Sequence, residues 1–411
     1  MKIIQVNKFN YPRGGADKYF LDLSLALEQS GHQVAKFCMA HPQNQPSRWE
    51  KYFVSRVSFN EPGYSRLKAA ARILYSFEAA KKFERLIKDF QPDLIHLHNI
   101  YHQISPSILR VAKKHNLPVI MHLHDYQQFC PNQLMYNRLG ICEKCRGKKY
   151  LNCTRYRCVK DSSLKSFLAT LEMSLHHRWM NIYEKNIDRY VAPSEFMKQK
   201  AVEWGLKAGK VSVLPYFINL DNYQADYRPG KYLLYFGRLE KEKGVYVLLD
   251  AFKLLKNNCQ LKYLGNGSEA AGLLARIEKE NLAPSVSISP AVYGAELSET
   301  IAAAAMVVVP SLWYEVFGLV NIEAMASGKA VVASASGGIT ELIRENDNGF
   351  LSVPGDCQDL AEKIDLALQS DLEQIGRNGR KFASRFNAPD HLGKLVSLYD
   401  DLTGSRANGQ N

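Results

Sequence analysis

Met306-Val307-Val308-Val309-Pro310-Ser311-Leu312-Trp313-Tyr314-Glu315-Val316-Phe317-Gly318-Leu319-Val320-Asn321-Ile322-Glu323-Ala324-Met325-Ala326-Ser327-Gly328 is the stretch on which the fold turns. The β-branched run Met306–Val309 reads as a buried strand. A loop follows, then a short helix that stops at Gly328. Phe317-Gly318-Leu319 falls where that helix should begin. The first N–H groups of a helix lack internal partners and carry partial positive charge, so they form a cradle for an anion. A glycine there lets the anion come close to the backbone. Glu315 and Glu323 flank the cradle, one in the loop and one on the helix. Phosphate at the cradle and hydroxyls at the carboxylates together suit a nucleotide sugar.

Working outward, the same strand–loop–helix unit recurs along the chain. Lys2–Asn7 is an apolar strand, Gly14-Gly15 follows, and Tyr19, Phe20, Leu23 and Leu27 mark a helix closed by Gly31. Further strands are expected at 32–39, 93–98, 118–124, 189–192 and 211–214. A second series begins at Lys231–Phe236 and continues at 259–264, 286–288, 306–309, 330–333 and 349–353. Strands alternating with helices imply parallel sheets. Two series imply two doubly wound, Rossmann-like α/β domains, with the join near Pro215–Gly230. Residues 404–411 read as an irregular tail. Open α/β sheets bind ligands outside the carboxyl ends of their strands. That rule selects Arg13-Gly14-Gly15, His124-Asp125, Gly237-Arg238, Gly265-Asn266-Gly267, Pro310–Glu315 and Ser336-Gly337-Gly338.

With 411 residues, 46% of them hydrophobic, the chain can fill two cores. Charge is distributed unevenly. Residues 1–190 hold 30 Lys and Arg against 15 Asp and Glu, whereas residues 191–411 hold 23 against 26. The basic half favours an anionic surface or ligand. Met1–Val6 starts directly as a strand, without the pattern of a signal peptide. No apolar run approaches the roughly 18 residues that span a bilayer. The expected location is the cytoplasm, peripheral to the inner face of the cell membrane. Leu67–Phe90 reads as one basic amphipathic helix, with its apolar face on the sheet or its cationic edge at lipid headgroups.

Four motifs, in order and at strand ends, carry a resemblance. They are Gly14-Gly15-Ala16, His122-Leu123-His124-Asp125, Gly237-Arg238-Leu239-Glu240-Lys241-Glu242-Lys243-Gly244, and Glu315 with Glu323 after seven intervening residues. Over roughly residues 1–400 the chain resembles retaining glycosyltransferases of family 4, with the GT-B fold. The resemblance implies two domains facing across a cleft. Residues 1–214 would form the acceptor-side domain and residues 215–387 the donor domain, with a final helix at about 388–403 packing back on the first. It implies that Arg238 and Lys243 clamp the donor diphosphate, stabilising charge as it leaves. Glu315 would contact the donor sugar, and Glu323 the ribose hydroxyls. Gly14, Gly15 and Gly237 would permit close approach. Phe317, Gly318 and Leu319 would offer N–H groups, and His124 would face the sugar. No Asp-x-Asp occurs in the chain. That fits a donor site in which Arg238 and Lys243 replace a divalent cation, with the nucleoside-diphosphate sugar as co-substrate and no cofactor required. The acceptor would be a glycan or a lipid-diphosphate-linked glycan in surface polysaccharide synthesis.

One segment departs from the family pattern. Cys142-x-x-Cys145, Cys153 and Cys158, with Cys130 upstream, have the spacing of a tetrahedral thiolate site, most simply structural zinc, in an insertion at about 130–158. Free thiols, or an occasional disulfide, are the alternative. Two other functions stay open at this point. A nucleic-acid-binding or other metal-stapled binding protein would explain the basic half and the cysteines but not Arg238, Lys243, Glu315 and Glu323. A phosphorylase or epimerase of the same fold would show a different pattern around the glutamates. No nucleic-acid partner is expected.

Overall fold

The computed structural model of the protein describes residues 1–56 and 72–407. It divides into two compact units. Met1–Arg138, Cys142–Pro215 and the chain from Pro389 form the first, and Tyr216–Ala388 with Leu139–Ile141 form the second. Each is built on a six-stranded parallel sheet.

In the first unit the strands are β1 (Lys2–Val6), β2 (Gln33–Phe37), β3 (Leu94–Leu97), β4 (Val119–His122), β5 (Arg189–Ala192) and β6 (Val211–Val213), in the order β2-β1-β3-β4-β5-β6. The order reverses beside β1, which makes the loops after β1, β3 and β4 the ligand-binding edge of the sheet. Helix α1 (Gly15–Gln29) follows β1 and buries Tyr19, Phe20, Leu23 and Leu27, the residues its periodicity singled out.

The expected helix over 67–90 requires a correction. Residues 72–74 are helical, and the chain then breaks. Ser76, in extended backbone, accepts the N–H of Ala79 at 3.1 Å and starts a new helix, α2 (Phe77–Phe90). A serine hydroxyl satisfies the orphan N–H groups of a helix start better than it serves a helix interior. Ala79, Phe83, Leu86, Ile87 and Phe90 of α2 are buried, with Phe83 edge-on to Phe37, while Lys81, Arg85 and Lys88 are exposed. The remainder of the expected helix, residues 67–71, lies outside the described residues.

In the second unit β7 (Tyr232–Phe236), β8 (Gln260–Leu264), β9 (Val286–Ser289), β10 (Met306–Val309), β11 (Ala330–Ser334) and β12 (Gly349–Ser352) are ordered β9-β8-β7-β10-β11-β12. β7, β10 and β11 are buried along their whole length, as expected of strands covered by helices on both faces. Leu233, Tyr263, Val308, Val332 and Phe350 of the sheet share a core with Leu248 and Leu249 of the helix α4 (Val245–Phe252). Here the order reverses between β7 and β10, which pair as Met306↔Leu233 and Val307↔Leu234. The loops 237–244 and 310–318 therefore leave adjacent strands in opposite winding directions, and a crevice at such a point is where this architecture binds ligands.

Helix α5 (Leu319–Ala326) follows β10. The last helix, α6 (Ala388–Ala407), extends into the tail expected to be irregular. Its His391 and Tyr399 are buried in the first unit, where His391 Nδ1 meets the carbonyl of Pro215 at 2.8 Å.

Candidate active site

Gly244 sets the geometry of the loop after β7. Its φ of +72° lies in the left-handed region, and a Cβ there would stand 1.9 Å from the carbonyl oxygen of Pro310. The loop after β7 thus rests directly on the loop after β10, and Lys243 is delivered to Glu315. Lys243 Nζ donates to Glu315 Oε1 at 2.6 Å, and Ser311 Oγ donates to the same oxygen at 2.6 Å. The Trp313 side chain also bonds this carboxylate, and Lys243 Nζ stands 5.0 Å over the Trp313 ring. Burial would push the Glu315 carboxyl up. The Lys243 charge and the bonds from Lys243, Ser311 and Trp313 outweigh it and hold the group below its ordinary range. Gly337, with φ +63°, packs against the Glu315 backbone so closely that a Cβ would meet its carbonyl oxygen at 2.2 Å. The carboxylate is fixed from both sides.

Arg238 is half exposed and pairs with Glu242 at 3.4 Å. One guanidinium face is therefore anchored and the rest stays available to an anion. Phe317 is buried, edge-on to Phe386 and Tyr216, and anchors the start of α5. Gly318 takes φ +107° as the N-cap of α5, and Leu319 is the first residue of that helix. The leading N–H groups of α5 have no carbonyl inside the helix to bond. Glu323, one turn on, is buried and accepts the Tyr223 hydroxyl at 2.7 Å. The second unit thus assembles two cations, two fixed carboxylates and a helix start at one crevice.

At the ligand edge of the first unit, Gly14 caps α1 in extended backbone, with open space where a side chain would project. Gly15 is the first helical residue. Beside them, Asp17 accepts Asn7 Nδ2 at 2.9 Å, and burial pushes its carboxyl up to about 6. His124 is the end of a buried histidine ladder. His96 and His98 of β3 and its end stack on His122 and His124 of β4 and its end, with ring centroids 4.5–5.9 Å apart. The hydrogen bonds assign the protons. His98 Nε2 donates to Gln5 Oε1 at 2.6 Å, so His98 Nδ1 accepts from His124 Nε2 at 2.8 Å. His124 is therefore a neutral imidazole with its proton on Nε2, and burial pushes it down to about 3. Asp125 next to it is bonded by the Tyr101 hydroxyl, and burial pushes its carboxyl up to about 7. His96 is tied to α6 through Nδ1 and the Tyr399 hydroxyl at 2.6 Å. Donor atoms of His96, His98 and His122 lie within 4.8 Å of one another, a spacing that would also admit an ion. The hydrogen bonds of the ladder already account for it.

The family 4 glycosyltransferase model matches residues 13–222, just over half of the chain, and the model of glycosyl transferases group 1 matches residues 222–382. The chain is a family 4 glycosyltransferase. A protein of the cps region of Klebsiella pneumoniae is 28% identical to it over 84% of this chain and 88% of that one. The phosphatidyl-myo-inositol mannosyltransferase of Mycobacterium leprae is 25% identical over 98% and 96%. Among solved structures, Anabaena HepE in complex with UDP-glucose aligns over 98% of this chain and 100% of that one, with a TM-score of 0.69 at 19% identity, a likeness of fold.

Several residues of this glycosyltransferase site carry no motif of their own. Ser311 and Trp313 stand beside Glu315 in the sequence without a spacing that marks them as its partners, and nothing local links Tyr223 with Glu323. The ladder had a visible signal: two His-x-His pairs, at 96–98 and 122–124, each ending a strand. The cysteines sit in the same unit as the ladder. Cys130, Cys145 and Cys153 are buried, while Cys142 and Cys158 are partly exposed, all as free thiols.

Proposed function

We propose that this glycosyltransferase moves a sugar, with retention at the anomeric carbon, from a nucleoside-diphosphate sugar to a hydroxyl of a lipid-linked or growing glycan. The observation that carries this reading is the Lys243–Glu315 pair at the switch point of the second sheet, beside the start of α5 and within one turn of Glu323. In this reading the diphosphate lies against the N–H groups of Phe317, Gly318 and Leu319. Glu323 holds the ribose, Glu315 holds the sugar, and Arg238 and Lys243 face the phosphate that leaves. Charge grows on the leaving oxygen as the glycosidic bond breaks, and cations already in place stabilise it without reorganisation. Lys243 enters with its charge partly neutralised by Glu315, so it positions as well as attracts. No carboxylate is assigned as nucleophile. The acceptor proton passes to the departing phosphate oxygen on the same face of the sugar. Gly14 and Gly15 permit close approach of the diphosphate or acceptor, and the neutral His124 faces the donor sugar. No divalent cation takes part at the donor phosphates. The relatives in a cps region and in phosphatidylinositol mannosylation support a surface polysaccharide or a lipid-linked acceptor.

A thermal-shift screen against nucleoside-diphosphate sugars tests the donor, because a ligand that binds only the folded state raises its melting temperature. The matching donor should then release nucleoside diphosphate in the presence of acceptor. Arg238→Ala and Lys243→Ala should each lower kcat by about 100-fold or more. Wild-type rates in both would remove the assignment.

Docking on an anionic membrane belongs to the same reading. Leu164 and Phe167 of the helix α3 (Ser163–Met173) are exposed, as is Leu151 on the turn bonded to it through Thr154 and Thr170. Exposed Lys149, Arg155, Arg157, Lys160 and Lys165 lie in the same stretch of chain, with one exposed acid, Asp161. Exposed apolar side chains in a stretch rich in cations suit the headgroup boundary of an anionic bilayer. No helix of the described residues is long and apolar enough to cross a membrane. Flotation with anionic but not neutral liposomes is expected, and Phe167→Glu should weaken it. Equal flotation with both would dismiss the electrostatic argument.

A further inference from the structure

The helix Leu372–Ala383 packs against the end of α5 that lies beyond Glu323. It starts at Asp371, whose side chain accepts the Gln374 N–H at 3.0 Å, and it buries Leu372, Ile375, Gly376, Gly379 and Ala383. A glycine inside a helix costs about 1 kcal/mol relative to alanine. Two of them on one buried face therefore call for a reason, and close approach supplies it. A Cβ on Gly376 would stand 2.1 Å from the carbonyl oxygen of Gly328, and one on Gly379 would stand 3.2 Å from Cγ of Met325.

This packing delivers Arg380, the residue after Gly379, to the end of α5. Arg380 Nη1 donates to the carbonyl of Ala326, the last residue of α5, and to the carbonyl of Tyr223 at 3.1 Å. The last carbonyls of a helix have no partner inside it and carry partial negative charge, so a guanidinium suits them twice over. Tyr223 needs such a tie. It follows a single 3₁₀ turn, Leu220–Asn222, and residues 223–230 form neither helix nor strand. The same stretch is laced to the end of α5 further on. The Asp226 N–H donates to the Ser327 carbonyl at 3.2 Å, and Nζ of the buried Lys329 donates to the Arg228 carbonyl at 2.9 Å. Of these three ties, Arg380 makes the one at Tyr223 itself. The Tyr223 hydroxyl then donates back to Glu323 Oε1 at 2.7 Å. The contacts close a ring: the end of α5, Arg380, the Tyr223 backbone, the Tyr223 hydroxyl, and Glu323 on α5.

We infer that Arg380 is a positioning residue for the donor ribose. By holding the Tyr223 backbone to the end of α5 it keeps the Tyr223 hydroxyl on Glu323, and so keeps the carboxylate aimed. The inference rests on the reading of Glu323 as the group that takes the ribose hydroxyls. Arg380 acts through Tyr223 rather than on the nucleotide. A carboxylate held in one orientation discriminates strongly between a ribose and a deoxyribose, because the missing hydroxyl leaves a buried charge without its partner. A carboxylate able to turn toward other donors discriminates less. Arg380 therefore contributes to the choice of a ribonucleotide donor. Bridging two carbonyls suits a guanidinium, whose donors are fixed in a plane, better than the single ammonium of a lysine.

The test is isothermal titration calorimetry of the full chain with UDP, GDP and ADP and with their 2′-deoxy and 3′-deoxy counterparts. The readout is the ratio of affinities for the ribonucleotide and the deoxynucleotide of the same base. A general loosening of the fold weakens both and leaves the ratio in place. The wild-type chain is expected to prefer the ribonucleotide by about 10-fold or more, and Arg380→Gln to lose most of that preference. Tyr223→Phe should lose it in the same sense. Arg380→Gln added to Tyr223→Phe should take away little more, because both changes break one chain of contacts. A wild-type ratio in Arg380→Gln, with the preference abolished in Glu323→Ala, overturns the inference and leaves the reading of Glu323 standing. Additive losses in the double variant do the same. A wild-type chain without preference, or a ratio unchanged in Glu323→Ala, overturns that reading and the inference with it. Where Arg380→Gln does not fold, Arg380→Lys decides. It keeps the charge at the end of α5, its ratio is expected to fall below the wild-type value, and a ratio equal to wild type overturns the role of the guanidinium.

Discussion

Glu323 and Tyr223 show how one side chain is readied by another. The role proposed for Glu323, accepting two ribose hydroxyls, calls for a carboxylate that does not swing, and the Tyr223 hydroxyl at 2.7 Å takes one of its lone pairs. A hydrogen bond to a charged group is worth about 1.5–3 kcal/mol, or about 10–150-fold in an equilibrium. Glu323→Ala is therefore expected to raise the KM for donor by about 10–100-fold with a smaller change in kcat. Tyr223→Phe should raise KM in the same sense by less, because the carboxylate remains. Steady-state kinetics over a donor series checks both, and a fall in kcat at unchanged KM would place Glu323 in the chemical step instead. Glu315 differs in kind. Three donors hold it as an anion against the cost of burial, and its charge is already met by Lys243, which disfavours its accepting a proton.

At the scale of elements, the loops after β7 and β10 behave as one body. Backbone lies on backbone at Gly244 and Pro310, and no side chain fits between them. The left-handed conformation alone costs a non-glycine residue about 1–2 kcal/mol. Gly244→Ala must in addition move Pro310 or the Lys243 loop. Its melting temperature is expected to fall by several degrees, with a loss of turnover larger than the loss of folded protein. Gly393→Ala is the matching control. It lies inside α6 with open space around it, and replacing a helical glycine there should stabilise by about 0.5–1 kcal/mol with activity unchanged. Differential scanning calorimetry beside an activity assay separates the two outcomes. The glycines were legible in the sequence as punctuation after strands. Which backbone each one admits was not, because Gly244 and Pro310 meet only through the pairing of β7 with β10.

For the whole molecule, the buried titratable groups make a signed pH prediction. His96, His98, His122, His124 and His391 all have imidazoles driven below their ordinary range, chiefly by burial. An unfolded chain binds protons at these positions below about pH 6.5 while the folded chain does not. Stability is then present above that pH and is lost as pH falls through it, by about 1.4 kcal/mol per pH unit for each imidazole kept neutral. Asp125 acts in the opposite sense. Its folded carboxyl keeps a proton up to about 7, so its contribution is present at low pH and is lost as pH rises from about 4 to about 7. Asp17, whose carboxyl is raised to about 6, acts in the same sense as Asp125, and five histidines against these two aspartates should make the first unit acid-labile. Melting followed from pH 5 to pH 8 should rise with pH, and Asp125→Asn should increase the gain at pH 8. A melting temperature flat across this range would contradict the buried, neutral ladder.

The amino-acid sequence by itself determined the alternation of apolar strands with amphipathic helices, the two doubly wound units that follow from it, the strand-end positions of Gly14, His124, Arg238, Lys243 and Glu315, and the place of Glu323 on the helix that follows. These are local properties, set by periodicity of 2 or 3.6 residues and by glycine after a strand. Only the tertiary structure decided what each of those residues touches. Lys243 and Glu315 are 72 residues apart, Tyr223 and Glu323 are 100 apart, and His96 and Tyr399 are 303 apart. Such pairs are set by the order in which parallel strands take their places in a sheet. That order is selected by the burial of whole elements against one another, a sum over many side chains that no single stretch of sequence contains.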